Sequence, residues 1–187
     1  ELQIQLAARA VTTLIPLCKR DALLQWGITE NRAALRLFKL FFESLSEDLI
    51  SDLALAQLLL RLNPNDNHGI RIWVIKMALT HLQNAVALSI IHQYGDDQPA
   101  AIRNGEVLAL FKLDRKPEAL RALKEVLKTH RNHITWLIPA RKAAPKDLEN
   151  QRFVAVNSEY AARDYREDMR EVWVAAGAIA WLKTDIV

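Results

Sequence analysis

Apolar residues recur at three- and four-residue spacing through nearly the whole of this 187-residue sequence, and strict alternation extends nowhere beyond a few positions. The first spacing places oily side chains on one face of an α-helix, whereas a half-buried strand needs period two. An all-α chain without a sheet is therefore expected. The first helix runs from Leu2 to Ile15, where Pro16 cannot donate its backbone hydrogen bond. A short helix continues to Trp26, and Gly27 suits its end. Thr29 caps the next helix, which buries Ala33, Leu37, Leu40 and Phe41 and ends near Ser44. Ser46, with Glu47 and Asp48 at the positive helix end, opens a third helix that Asn63 and Pro64 stop after Leu62.

Beyond this point helices of similar length alternate with short breaks. The spacing predicts helices over 67–82, 84–94, 99–113 and 117–129, then a short one over 132–138. Loops of a few residues force consecutive helices to lie antiparallel. An irregular stretch from Pro139 to about Asn150 is the best candidate for a mobile loop, and a last pair is expected over 151–174 and 177–183. At an offset of 34 residues Ala85 lands on Ala119, Val86 on Leu120, Leu79 on Leu113, Met77 on Phe111 and Ile75 on Ala109. Thirty-four is the tetratricopeptide period. The expected architecture is thus an α-solenoid of antiparallel helix pairs, a tetratricopeptide-like superhelix. Three segments follow: an N-terminal helical cap or degenerate repeat over 1–62, repeats over 63–138, and a loop with capping helices over 139–187.

The formal charge of +3 is unevenly spread. Residues 112–146 hold ten lysines and arginines against three acids, while the rest is balanced or acidic. A run like this belongs to the solvated outer face of two helices; it can also attract phosphate or acidic protein segments. The single cysteine, Cys18, forms no internal disulfide, and the cytoplasm is the expected compartment. No apolar run approaches the roughly 18 residues that span a bilayer, so no membrane role is expected. The sequence opens at Glu1 inside a helical pattern, which points to an unseen N-terminal part.

Two stretches resemble a known family. Ala109–Leu120, continuing to Leu127, resembles the second half of a tetratricopeptide unit, with Glu118-Ala119 where its second helix starts. Leu62–Arg71 resembles the turn of bacterial tetratricopeptide-like proteins of unknown function, and is distantly similar to the suppression-of-tumorigenicity family. The tail, Ser158–Ala161 with Trp173, Gly177-Ala178 and Trp181-Leu182, resembles the ending of that group. The chain departs from the repeat by lacking Gly at Asp114, and by Thr80 where another such Gly would sit. The resemblance implies a binding scaffold and carries over no catalytic residue. The turn also reads physically: Asn65, Asp66 and Asn67 offer oxygens to the amides opening the next helix, and Gly69 allows close approach.

Chemistry-bearing constellations are sparse. His130 and His133 share a helical face but have no third ligand adjacent, so they read as an end-of-helix pair rather than a metal site. No phosphate-binding glycine loop, nucleophile elbow or His-Glu-x-x-His pattern occurs, and no cofactor or enzyme activity is expected. Trp73, Trp136, Trp173 and Trp181 read as packing between helix layers. The functional expectation is a protein-interaction scaffold, gripping a peptide, partner domain or another domain of the same chain in the groove formed by stacked pairs. Helices 67–82 and 99–113 supply its inner wall, including Arg71, Lys76, Arg103 and Asn104, and the basic segment favours an acidic partner. The alternative is nucleic-acid binding, with Arg121, Lys124 and Lys128 on phosphates and Trp136 stacking on a base.

Overall fold

A computed structural model describes residues 2–18, 21–44, 49–95, 99–139 and 155–186. These residues form ten α-helices and no strand: α1 Leu2–Leu14, α2 Thr29–Ser44, α3 Leu49–Leu62, α4 Ile70–Thr80, α5 Asn84–Gln93, α6 Ala100–Lys112, α7 Lys116–Thr129, α8 Arg131–Leu137, α9 Glu159–Ala175 and α10 Ala178–Ile186. No described helix is long and apolar enough to cross a membrane. The fold divides into two compact units, residues 1–74 and 75–187, with the boundary inside α4. The expected cap at Ser46, the loop after Pro139 and the basic residues Arg141, Lys142 and Lys146 lie outside the described residues.

In the N-terminal unit α1 gives way at Pro16 to a single 3-10 turn, Ile15–Leu17. Among the described residues, no helix is formed in the stretch leading up to Trp26. Residues 21–28 are irregular, because the Leu24 amide donates at 2.6 Å to the Leu62 carbonyl, one of the oxygens left unpaired at the end of α3. The buried face of α2 is also shifted. Leu35, Phe38 and Phe42 are enclosed, while Leu37 and Phe41 are half-buried and Ala33 and Leu40 face water. An apolar set this wide offers two overlapping stripes, and the placing of α1 and α3 on α2 selects one of them.

The turn before α4 is a cap built around one carboxylate. Asp66 is 4% exposed and holds φ at 41°; it accepts from the Ile70 and Arg71 amides, each at 2.8 Å, and from Arg71 Nη1. Two otherwise unpaired amides are thereby satisfied, which in helix caps contributes about 1 kcal/mol. Helix α4 consequently starts at Ile70, three residues later than the spacing suggested. Gly69 serves here through its positive φ of 72°, not through close approach, since a Cβ there would meet nothing within 4 Å.

The C-terminal unit is organised around α6, none of whose residues is exposed. It packs against α5, α7, α8 and α9. Gly105 explains how α4 and α5 come so near: a Cβ there would lie 3.1 Å from Ile75 Cγ2 and 3.4 Å from Ile91 Cδ1. That approach offsets the roughly 1 kcal/mol helix-propensity cost of an interior glycine. Trp181 of α10 stacks on Phe111, with ring centroids 4.9 Å apart. Helix α9 begins only at Glu159, where Ser158 Oγ accepts from the Ala161 amide at 3.1 Å, so the described residues 155–158 are not helical as the 151–174 span required.

The internal repeat has a different register from the one expected. The turns after α4 and α6 share one geometry, with left-handed residues at Leu82 and Asp114, 32 positions apart. Gln83 and Arg115 follow with nearly the same backbone angles and bond back to the Ala78 and Leu110 carbonyls. Aligned through these turns, buried Ala87 matches buried Ala119 and buried Ile91 matches buried Leu123. The 34-residue register pairs exposed Ala85 with Ala119 instead, because the apolar coincidences along a helix reappear a few residues away. The residue at the turn position proper to glycine is therefore Leu82, not Thr80.

Leu82 sits at φ 63° and is 73% exposed, so it accepts left-handed strain without burying its side chain. The strain costs about 1–2 kcal/mol, against about 0.5–1 kcal/mol of extra backbone entropy for glycine. Leu82→Gly is expected to stabilise by about 0.5–1 kcal/mol and raise the midpoint of a far-ultraviolet circular dichroism melt by about 2 °C. A fall in the midpoint would show that the leucine side chain holds that turn.

Candidate functional site

An open groove of about 690 Å³ lies along α6 and α7 and is bordered by His92 of α5. Its floor is apolar, with Leu110, Ala122 and Val126, and its walls are charged. Helix α7 supplies most of the charge through strong amphipathicity: Ala119, Leu123 and Val126 face the core, which turns Arg121, Lys124, Glu125 and Lys128 outward. Pro117 in its first turn needs no hydrogen-bond partner, and Glu118 favours the positive helix end.

Four cations line the groove, Arg103, Arg115, Arg121 and Lys124, against three carboxylates, Glu106, Glu118 and Glu125. Among the described residues, four cations of the expected basic face, Arg115, Lys116, Arg121 and Lys128, have carboxylate partners within the fold. Arg115 forks onto Glu118 at 2.7 and 2.5 Å, and Arg121 approaches the same carboxylate at 3.9 Å. The hydrogen bonds from Arg115 hold the Glu118 carboxyl below its ordinary pKa, and the same contact raises that of the guanidinium. Lys128 pairs with Glu125 at 2.7 Å and Lys116 with Asp114 at 3.4 Å. Lys112 donates to the Leu79 carbonyl, and burial lowers its pKa. Among the described residues Arg103 and Lys124 have no ion pair. Positive charge in the groove is therefore local to these two side chains and to the Arg115–Glu118–Arg121 cluster.

Of the residues expected at the site, Arg103, Arg121 and Lys124 line this groove, with Lys128 paired to Glu125 beside it. The others are placed differently. Arg71 is engaged by Asp66. Lys76 pairs with Asp168 of α9, so this part of the expected inner wall is met by another helix of the chain itself. Asn104 is fully buried in α6, with neither amide nitrogen nor oxygen bonded among the described residues. Trp136 is 2% exposed and cannot stack on a base. Asn104 was expected on the groove wall because helical spacing gives a residue's angular position but not which angles neighbouring helices will cover; the burial of Trp136 agrees with its reading as packing between helix layers and goes against the base-stacking alternative. Trp73 errs the other way: it is 52% exposed, not packed between layers.

His130 and His133 are an end-of-helix pair as expected, His130 at the junction of α7 and α8 and His133 in the first turn of α8, but both are enclosed. They are 1% and 0% exposed, with ring centroids 5.4 Å apart. Tyr165 of α9 meets His133 edge-on at 5.9 Å and accepts from Trp173 Nε1 at 3.1 Å. Burial, reinforced by the His130 charge, lowers the His133 pKa to about 4, against a smaller opposing effect of the His130 carbonyl. Burial also pushes the Tyr165 hydroxyl up, so at neutral pH the cluster is uncharged at both rings. Among the described residues no group of three His, Cys, Asp or Glu side chains could hold a metal ion.

The groove's own signal in the sequence was Glu118 and Glu125 set among the cations of 116–128, at three-residue spacings that pair acid with base on one helix face. Its partners Glu106 and His92 carry no such signal, because only the packing of α5 and α6 on α7 brings them alongside. No protein-family model, curated protein or solved structure matches the chain.

Proposed function

We propose that this chain is a protein-binding scaffold whose α6–α7 groove takes an acidic, partly apolar peptide segment of a partner or of another domain. The finer fold belongs to the same proposal: two consecutive helix pairs with matching turns, α4–α5 and α6–α7, as the repeating units of a tetratricopeptide-like solenoid. The observation that carries it is the unpaired cationic couple Arg103 and Lys124 beside an apolar floor of Leu110, Ala122 and Val126. Carboxylates entering this groove gain charge-assisted contacts while apolar side chains cover the floor. Binding rather than catalysis is supported by the groove's make-up: no nucleophile, base and orienter converge in it.

The test uses the whole chain with two labelled probes, a Glu/Leu-rich peptide and a single-stranded oligonucleotide of similar length. Fluorescence anisotropy is expected to show saturable peptide binding, weakened about tenfold or more by joint Arg103→Glu and Lys124→Glu substitution. Circular dichroism checks that the variant is folded. Oligonucleotide binding at physiological salt, with a steep salt dependence and lost on charge reversal at Arg121, Lys124 and Lys128, would replace this reading with nucleic-acid recognition. The burial of Trp136 weighs against that outcome, since it removes the stacking platform.

A further inference from the structure

A second charged feature lies in the N-terminal unit and owes nothing to the groove. Trp26 stands in the irregular segment before α2, its ring met edge-on by His68 at 4.7 Å. The guanidinium carbons of Arg32 and Arg36 lie 5.3 and 5.7 Å from the centroid of that same indole. Arg32 also donates from Nε to the Trp26 carbonyl at 2.9 Å. The two arginines are one helical turn apart on α2, and neither has a carboxylate partner among the described residues. Two like charges are thus gathered on one ring, at most about 11 Å apart, a range over which one bound anion feels both.

We propose that Arg32 and Arg36 form a binding site for a dianionic side chain, a phosphorylated residue of a partner polypeptide. The charge count argues for a dianion: a phosphomonoester carries about −1.5 to −2 at neutral pH and balances both guanidinium groups, where a single carboxylate leaves one uncompensated. Preorganisation argues for a site. Arg32 is already held by the indole face and the Trp26 carbonyl, which leaves its terminal nitrogens as a positioned fork and reduces the entropy lost on binding. A polypeptide is favoured over nucleic acid because the Trp26 ring is taken by two guanidinium groups and by His68, so it offers no base a stacking surface.

The test is a nitrogen-15 spectrum of the arginine Nε–H groups in the whole chain, with Arg32 and Arg36 assigned by Arg→Lys substitution. The probes are a short phosphoserine peptide, the same peptide with glutamate, and inorganic phosphate. Saturable shifts of both signals are expected with the phosphoserine peptide, which should bind about tenfold tighter than the glutamate peptide. Arg36→Gln, at an exposed position, should weaken that binding about tenfold without changing the melting midpoint, and Arg32→Gln should do the same or more. Absence of saturation, equal affinity for the glutamate peptide, or unchanged binding in both glutamine variants overturns the proposal. Inorganic phosphate binding as tightly as the peptide overturns its polypeptide part.

Discussion

Trp173→Ala is expected to lower the unfolding free energy of the C-terminal unit by about 4 kcal/mol, the middle of the range for truncating a buried tryptophan or phenylalanine. The indole is fully enclosed, and Ala162, Tyr165 and Met169 continue the same buried stripe along α9. Part of the loss is polar. Trp173 Nε1 donates to the Tyr165 hydroxyl, which is itself buried and would lose this donor. Trp173→Phe separates the terms: it keeps most of the ring volume and should cost about 1–2 kcal/mol through the lost hydrogen bond and the smaller ring. Urea unfolding followed by far-ultraviolet circular dichroism measures both. A cost below about 1 kcal/mol for the alanine variant would mean that α9 is not fixed against α6 and α8, leaving their faces open.

Acid should destabilise the same unit through His133, by up to about 3 kcal/mol between pH 6.5 and 4. The imidazole titrates near 6.5 when unfolded and near 4 when folded, so between these values the unfolded chain binds the proton and the folded one does not. Above pH 6.5 both states are neutral and His133 contributes no pH dependence; below 4 both are charged and the loss has reached its limit. His133→Leu removes this titration while nearly preserving volume. His130 and Tyr165, which face the ring, and the surface carboxylates remain in both proteins. The stability difference between wild type and variant, from urea midpoints across pH 4–8, should therefore be flat above 7 and shift toward the variant as pH falls. A difference that stays constant over the whole range would show that His133 reaches solvent in the folded state.

Much of the helical framework was legible along the chain, and particular residues show why. Pro16 ended α1 and Asn63-Pro64 ended α3 because a missing amide donor acts locally, whatever the rest of the molecule does. The four helices from α4 to α7 were placed within a few residues, since their apolar period and short turns are local too. The segment before Trp26 was misread as helix because its decisive contact, Leu24 to Leu62, joins residues far apart in sequence. Asp66 was recognised as a cap, while Leu82 was missed as a left-handed turn residue because leucine carries no preference for that conformation.

The candidate site was legible only in part. Arg103, Arg121 and Lys124 could be named from charge alone, yet Asn104, next to Arg103 in the chain, is enclosed by the fold. Local rules of backbone geometry and side-chain period determined that the described chain is helical and where most of its helices stop. The choice of faces to bury, the histidines to enclose and the cations to leave without a carboxylate was made by tertiary packing. Those outcomes depend on the distances between groups from separate helices, which the order of residues along one helix does not contain.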